Sequence, residues 1–286
     1  MMCPRDRSDT ANASIRMFGE RAHETGFSLP VKVRGMATRV VARAVRRKTL
    51  ALREMPPMVS FTFDDVPSSA CRAGARILER HGVRGTFYVA AGGCGAISPV
   101  GQLASRDEIR TLAANGHEIG CHTYSHPDVS RITLVALDNE IDQNRSALLG
   151  IHGDIVLRNF AYPYGEMSVR SKRRLETRFD SCRSVHPGIN SKTADLGSLK
   201  ACPLESAAVD HAKIARLIEQ TIETNGWLIF YSHDVSEHPS PFGVAPGTLD
   251  FAVRAAKKAG CIVATISRGL DLINCATGKA RRAVPA

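Results

Sequence analysis

Four short stretches carry most of the residue types in this chain that could do hydrolytic chemistry. The run Val59–Val66 is apolar until it ends in two adjacent acids, Asp64 and Asp65. His122-Thr-Tyr-Ser-His126 sets two imidazoles four residues apart, Tyr162-Pro-Tyr-Gly165 is a stiff aromatic turn, and Ser232-His233-Asp234 follows another apolar run. Neighbouring carboxylates resist joint ionisation, so the Asp pair is either solvated at a strand end or put to use. Two histidines four apart can face one cation through ring nitrogens. Core or capping histidines account for a lone pair equally well. A carboxylate from another segment would turn that pair into a two-His, one-carboxylate set with open coordination positions. A cation held this way polarises a carbonyl and lowers the pKa of bound water from ~15.7 toward ~7, as hydrolysis requires.

The elements between these stretches must bring them together. β-Branched and aromatic runs predict strands at Met58–Phe63, Gly85–Val89, Glu118–Cys121, Val156–Tyr162, Ser181–Val185, Trp227–Ser232 and Cys261–Ile266. Helical spacing predicts helices at Ser69–Arg80, Asp107–Asn115, Leu134–Leu149, Val169–Arg178, Val209–Asn225 and Thr248–Ala259. Ser105 and Glu108 read as a capping box, with Gly116, Gly226 and Gly260 at helix ends. Alternating β and α implies a mainly parallel sheet. Short connections favour closure into a barrel, whose strand C-termini would gather all four stretches around one mouth. Gly188–Ala208, rich in Ser, Gly and Pro, reads as a loop near that mouth.

The composition narrows the class further. With 286 residues, 43% hydrophobic, the chain can build a sizeable core. No apolar run reaches a membrane span and residues 1–28 lack a secretory signal, so the expectation is a soluble, cytoplasmic protein. Eight cysteines at irregular spacing, without Cys-x-x-Cys, disfavour a zinc finger or a disulfide framework. Cys121, Cys182 and Cys261 fall in strands, where they would pack as small apolar groups. Of the net charge of +10, most lies within residues 1–56, which hold twelve Lys/Arg against five Asp/Glu. The body is nearly neutral, which argues against nucleic-acid binding. Residues 35–54 read as a basic amphipathic helix with Ala37, Val40, Val41, Ala44, Val45 and Leu52 on one face. It would pack across the domain or touch the inner membrane surface peripherally.

The motifs Thr62-Phe-Asp-Asp65, His122-x-x-x-His126, Phe160-Ala-Tyr-Pro-Tyr-Gly165 and Phe230-Tyr-Ser-His233 resemble those of polysaccharide deacetylases, carbohydrate esterases of family four with the NodB homology domain. Gly85-Thr-Phe-Tyr-Val89 and Asn115-Gly-His-Glu-Ile-Gly120 are similar too, and the likeness covers about residues 57–272. The resemblance implies a distorted (β/α) barrel of seven or eight strands, preceded by a basic extension over 1–56 and followed by a tail over 273–286. It implies that Asp65, His122 and His126 hold a divalent metal, Zn²⁺ first, with Co²⁺, Mn²⁺ or Ni²⁺ as alternatives. Asp64 would be the general base, His233 the general acid, and the backbone N–H of Tyr164 an oxyanion donor.

Three departures from the family pattern bear on tuning. Val66 stands where the family commonly has Gly. Ala161 stands where an arginine often pairs with the base, leaving Arg158 as a substitute. The Asp-plus-Trp motif is missing, so Asp180 and Asp195 are the candidates to partner His233, with Trp227 in the core. His117 and Cys121 read as structural, Asp234 as a loop cap, and His186, His211 and His238 as surface or loop histidines. The expected reaction is de-N-acetylation of an N-acetylated oligosaccharide or lipid-linked sugar. The alternatives are a barrel amidohydrolase opening a formyl or cyclic amide, and a non-catalytic glycan- or membrane-binding module.

Overall fold

The protein is described by a computed structural model that covers residues 39–52 and 55–276. Residues 39–44 form a short helix, α1, and Thr49–Ala51 a strand, β1. The barrel strands are β2 (Met58–Asp64), β3 (Thr86–Val89), β6 (Glu118–Cys121), β7 (Asn159–Ala161), β8 (Ser181–Arg183), β10 (Cys202–Pro203), β11 (Trp227–Ser232) and β12 (Ile262–Val263). A hairpin of β4 (Ile97–Ser98) and β5 (Gly101–Gln102) and the strand β9 (Thr193–Asp195) lie outside it.

All barrel pairings are parallel, in the order β10-β11-β2-β3-β6-β7-β8, with β12 added to β2. The curled sheet is joined across its gap by residues 199–203. Leu199 bridges Arg183 of β8, while Cys202 and Pro203 pair with Phe230 and Tyr231 of β11. A strand in such a sheet faces helices on one side and the lumen on the other, so every residue of β2 is buried. The order and the outer helices match the barrel expected from the alternating pattern.

Those helices are α2 (Ala75–Arg80, entered through a π-helical turn at Ala70–Gly74), α3 (Arg106–Ala114), α4 (Leu134–Leu149), α5 (Val169–Arg178), α6 (His211–Glu223) and α7 (Pro246–Lys258). The capping box at α3 is present, with the Ser105 side chain accepting from the Glu108 N–H. Helix α8 (Ile266–Ala276) was not expected. It buries Ile266, Leu270 and Ile273 at helical spacing against Trp227, and the strand expected over Cys261–Ile266 shrinks to Ile262–Val263.

The largest correction concerns residues 35–54. Helix occupies only 39–44, and the chain then pairs β1 antiparallel with β9. Leu50 and Leu52 are buried with Met55, Ala194 and Trp227. Ala42 joins the main core, Arg39 pairs with Glu166, and Lys172 donates to the Ala42 and Val45 carbonyls. Of the apolar face offered for membrane contact, Leu52 is buried in the barrel and Val45 half-buried, while Val40, Val41 and Ala44 are exposed. Residues 35–38 and 53–54, the arm before them and the tail after 276 lie outside the described residues. Among the described residues no helix is long and apolar enough to cross a membrane. Gly188–Ala208 is likewise more than loop, since it supplies β9 and β10.

Candidate active site

Asp64 is the last residue of β2, and the backbone turns sharply behind it. Asp65 and Val66 both adopt left-handed conformations, φ 56° and 49°, and the Val66 N–H donates to the Asp64 carbonyl at 2.5 Å. For a β-branched residue this is an outlier, and it explains why glycine suits position 66. The turn separates the two carboxylates: Asp64 stays in the lumen while Asp65 points at the histidines.

His122 follows β6 directly, and a turn through Thr123 (φ 64°) and His126 (φ 59°) folds the second imidazole back onto the first. Their Nε2 atoms lie 3.1 Å apart, and Asp65 Oδ1 lies 3.2 Å from His126 Nε2 and 3.6 Å from His122 Nε2. The ligand atoms of Asp65, His122 and His126 fall within 4.8 Å of one another. His122 Nδ1 donates to the Ala161 carbonyl at 2.9 Å, which leaves the lone pair on Nε2. Asp65 Oδ1 is buried without a hydrogen-bond partner. Two converging imidazoles and an orphaned carboxylate oxygen fit a divalent cation. Burial holds His122 down to about 4, aided by the neighbouring His126, and burial also brings His126 to about 4. Both rings are therefore neutral, as ligands must be.

The base candidate has a partner that the sequence did not identify. Arg158 is committed to Asp180 and Asp271, far from Asp64, and does not substitute for the arginine missing at 161. Arg183 does. From the next strand its Nη2 lies 2.5 Å from both oxygens of Asp64. Burial alone would raise the Asp64 carboxyl; the Arg183 guanidinium leads the charges that outweigh it and hold the group below its ordinary range.

His233 follows β11, near enough to Asp64 and His126 for its charge to act on both. Its expected partners are elsewhere: Asp180 binds Arg158, and Asp195 binds the buried Lys172. Nδ1 of His233 instead faces the Phe242 carbonyl at 3.3 Å, so Nδ1 carries the proton and Nε2 the lone pair of the neutral ring. Asp234 does cap its loop, accepting from the Ser240 N–H at 2.9 Å and its hydroxyl at 2.5 Å. Glu205, just beyond β10, is a further carboxylate that feels His233 and Asp64, with burial pushing it up. Its strand is too short for periodicity to reveal.

Tyr164 sits in a single left-handed turn (φ 57°, ψ 8°) between Pro163 and Gly165. Its ring meets His126 edge-on at 4.5 Å and is 52% exposed, so it borders the cation site. The remaining histidines are structural or peripheral. His117 accepts from the Gly85 N–H and packs edge-on against Phe87, His211 stacks on Phe251, and His238 is exposed. Cys121, Cys182 and Cys261 are buried free thiols, and Trp227 is fully buried.

Residues 52–178, less than half of the chain, match the family model of polysaccharide deacetylases. The match takes in Asp64, Asp65, His122, His126 and Tyr164 and stops short of Arg183 and His233. A chitooligosaccharide deacetylase of Bradyrhizobium sp. (strain ANU 289) is 32% identical over 110 residues, 37% of this chain and 46% of the relative. A chitin deacetylase of Colletotrichum lindemuthianum is 31% identical over 108 residues, 34% of this chain and 42% of the relative. The aligned part of the chain thus spans less than half of either relative. The solved structure of the Colletotrichum enzyme shares the fold, with a TM-score of 0.56 at 20% identity over 77% of this chain and 89% of that one. So does a cobalt-bound family 4 acetyl xylan esterase of Clostridium thermocellum, with a TM-score of 0.54 at 19% identity over 78% of this chain and 93% of that one.

Proposed function

We propose that this chain hydrolyses the N-acetyl amide of an N-acetylated sugar, with a chitooligosaccharide as the model substrate. The observation that carries the reading is the convergence of Asp65, His122 and His126 beside an ionised, arginine-held Asp64 and a histidine that can protonate a leaving amine. Asp65, His122 and His126 would hold the divalent metal, Zn²⁺ or Co²⁺. Bound there, the metal would supply Lewis-acid polarisation of the acyl carbonyl and a more acidic water.

The protein's own groups handle the protons. Asp64 accepts the proton of the attacking water on a carboxylate that Arg183 keeps charged. The Tyr164 N–H, aimed by the Pro163–Gly165 turn, donates to the developing oxyanion. His233, as imidazolium, gives its Nε2 proton to the departing nitrogen, which could not leave as an amide anion. The acceptor class rests on the chitooligosaccharide deacetylase among its relatives.

The test is acetate release from N-acetylglucosamine oligomers by protein loaded with Zn²⁺ or Co²⁺, against chelated protein. Asp64→Asn should lose about 10²–10⁴-fold in kcat, the usual contribution of a general base, while still binding metal. Folded, metal-loaded protein that frees acetate from no sugar oligomer, lipid-linked sugar or acetylated xylan would sink the proposal.

A further inference from the structure

Asp64 and Asp65 carry the same hard oxygen donors on adjacent residues, yet only Asp65 lies in the ligand cluster with His122 and His126. Carboxylates so placed would both be drawn to a divalent ion, and a second one would occupy a position that water and substrate need. We infer that Arg183 sorts the pair, keeping Asp64 off the metal so that only Asp65 ligates. The inference rests on the metal site of the proposed function.

Both oxygens of Asp64 are engaged by one guanidinium nitrogen at 2.5 Å, leaving neither unclaimed. The arginine cannot follow if the carboxylate swings toward the cation, because it is itself clamped. It is fully buried, and its guanidinium carbon lies 5.2 Å from the ring centroids of both Tyr88 on β3 and Tyr231 on β11. Its Nη1 donates to the Ser184 carbonyl at 3.3 Å. Gly120 on β6 completes the clamp, since a Cβ there would run into the Tyr88 ring.

The charge is informative too. A fixed positive guanidinium next to a dication opposes metal binding, so a residue serving only metal affinity would not be cationic here. Arg183 Nε and the Tyr88 hydroxyl are also buried without hydrogen-bond partners, which an arginine that merely fills the lumen would not explain. Finally, Ala161 is the register partner of Arg183 on the parallel strand β7 and so faces the same side. An arginine at 161 could take over the same carboxylate.

The experiment loads full-length protein with Co²⁺ and reads its visible absorption, its affinity by chelator competition, and its acetate release. Arg183→Ala should bind Co²⁺ about tenfold more tightly or better, the scale on which groups behind the ligands act. Its absorption should weaken as a further oxygen joins the ion, and kcat should fall while KM moves little. Arg183→Ala combined with Ala161→Arg should restore spectrum and affinity.

Asp64→Asn, which keeps volume, guards against failure of Arg183→Ala to fold. If Arg183 holds Asp64 off the metal, this variant has the wild-type Co²⁺ spectrum. A changed spectrum in Asp64→Asn, or unchanged or weaker Co²⁺ binding in folded Arg183→Ala, overturns the inference, as does a chain that takes up no Co²⁺. Co²⁺ spectra that respond as expected without acetate release would leave the sorting in place and remove the deacetylase reading.

Discussion

At the scale of single residues, the site is built from groups held in states they would not adopt in water. His122 and His126 are held to about 4 by burial, and His117 is lowered by burial as well. Each is below its ordinary 6.5, so the unfolded chain binds protons that the folded chain refuses as the pH falls. Their contribution is complete above pH 6.5 and is lost on acidification toward about 4. Metal-free protein should therefore show a falling urea midpoint between pH 7 and pH 4, and His122→Asn should flatten that slope. An unchanged slope would mean that these rings titrate normally. Val66 is strained rather than shifted. Glycine is usually ~0.5–1 kcal/mol worse than alanine inside regular structure, but at φ 49° the order should reverse. Val66→Gly should be at least as stable as Val66→Ala in urea, although it removes more of a buried side chain, and a clear deficit for the glycine variant would refute the strain.

At the scale of elements, most of the site was legible because its residues terminate strands that the sequence marks plainly. Leu134–Leu149 and Val169–Arg178 agree with the helices read from spacing, and β6 and β11 with the strands. What escaped were partners across the lumen. Arg183 was visible in a strand, yet nothing in spacing says that β8 curls round to reach Asp64 on β2. The partner of His233 escaped for another reason, being a backbone carbonyl delivered by a loop. Asp234 ties that loop to Ser240, and the His233 N–H and Nδ1 both turn to the Phe242 carbonyl. Gly243 packs against the Asp234 carboxylate with no space for a Cβ. Gly243→Ala should push the loop outward and lose part of the about 10²–10⁴-fold that a general acid supplies. Metal affinity should hold. A variant with full kcat would show that the carbonyl does not orient His233.

At the scale of the whole molecule, residues 39–52 of the basic N-terminal segment read as an appendage are stitched into the barrel wall. Its helix, its strand β1 and the turn between them hang on α5, whose Lys172 is 1% exposed. That ammonium donates to the carbonyls of Ala42 and Val45 and to Asp195 of β9, at 3.0, 2.6 and 2.6 Å. Lys48 reaches back in turn to the carbonyls of Glu176 and Phe179 at the end of α5. Helical periodicity could not foresee this, because a three-residue strand is too short to show its own period and its partner lies over a hundred residues away. Lys172 is thus a rivet holding three segments, and its removal strands a buried carboxylate as well as two carbonyls. Breaking a buried ion pair on one side typically costs about 3–5 kcal/mol, whereas removing both charges costs far less. Lys172→Met should therefore be strongly destabilising in urea, and Lys172→Met with Asp195→Asn should recover much of the loss. If Lys172→Met costs under about 1 kcal/mol, the level of an exposed pair, the segment is held by Leu50 and Leu52 rather than by this ammonium.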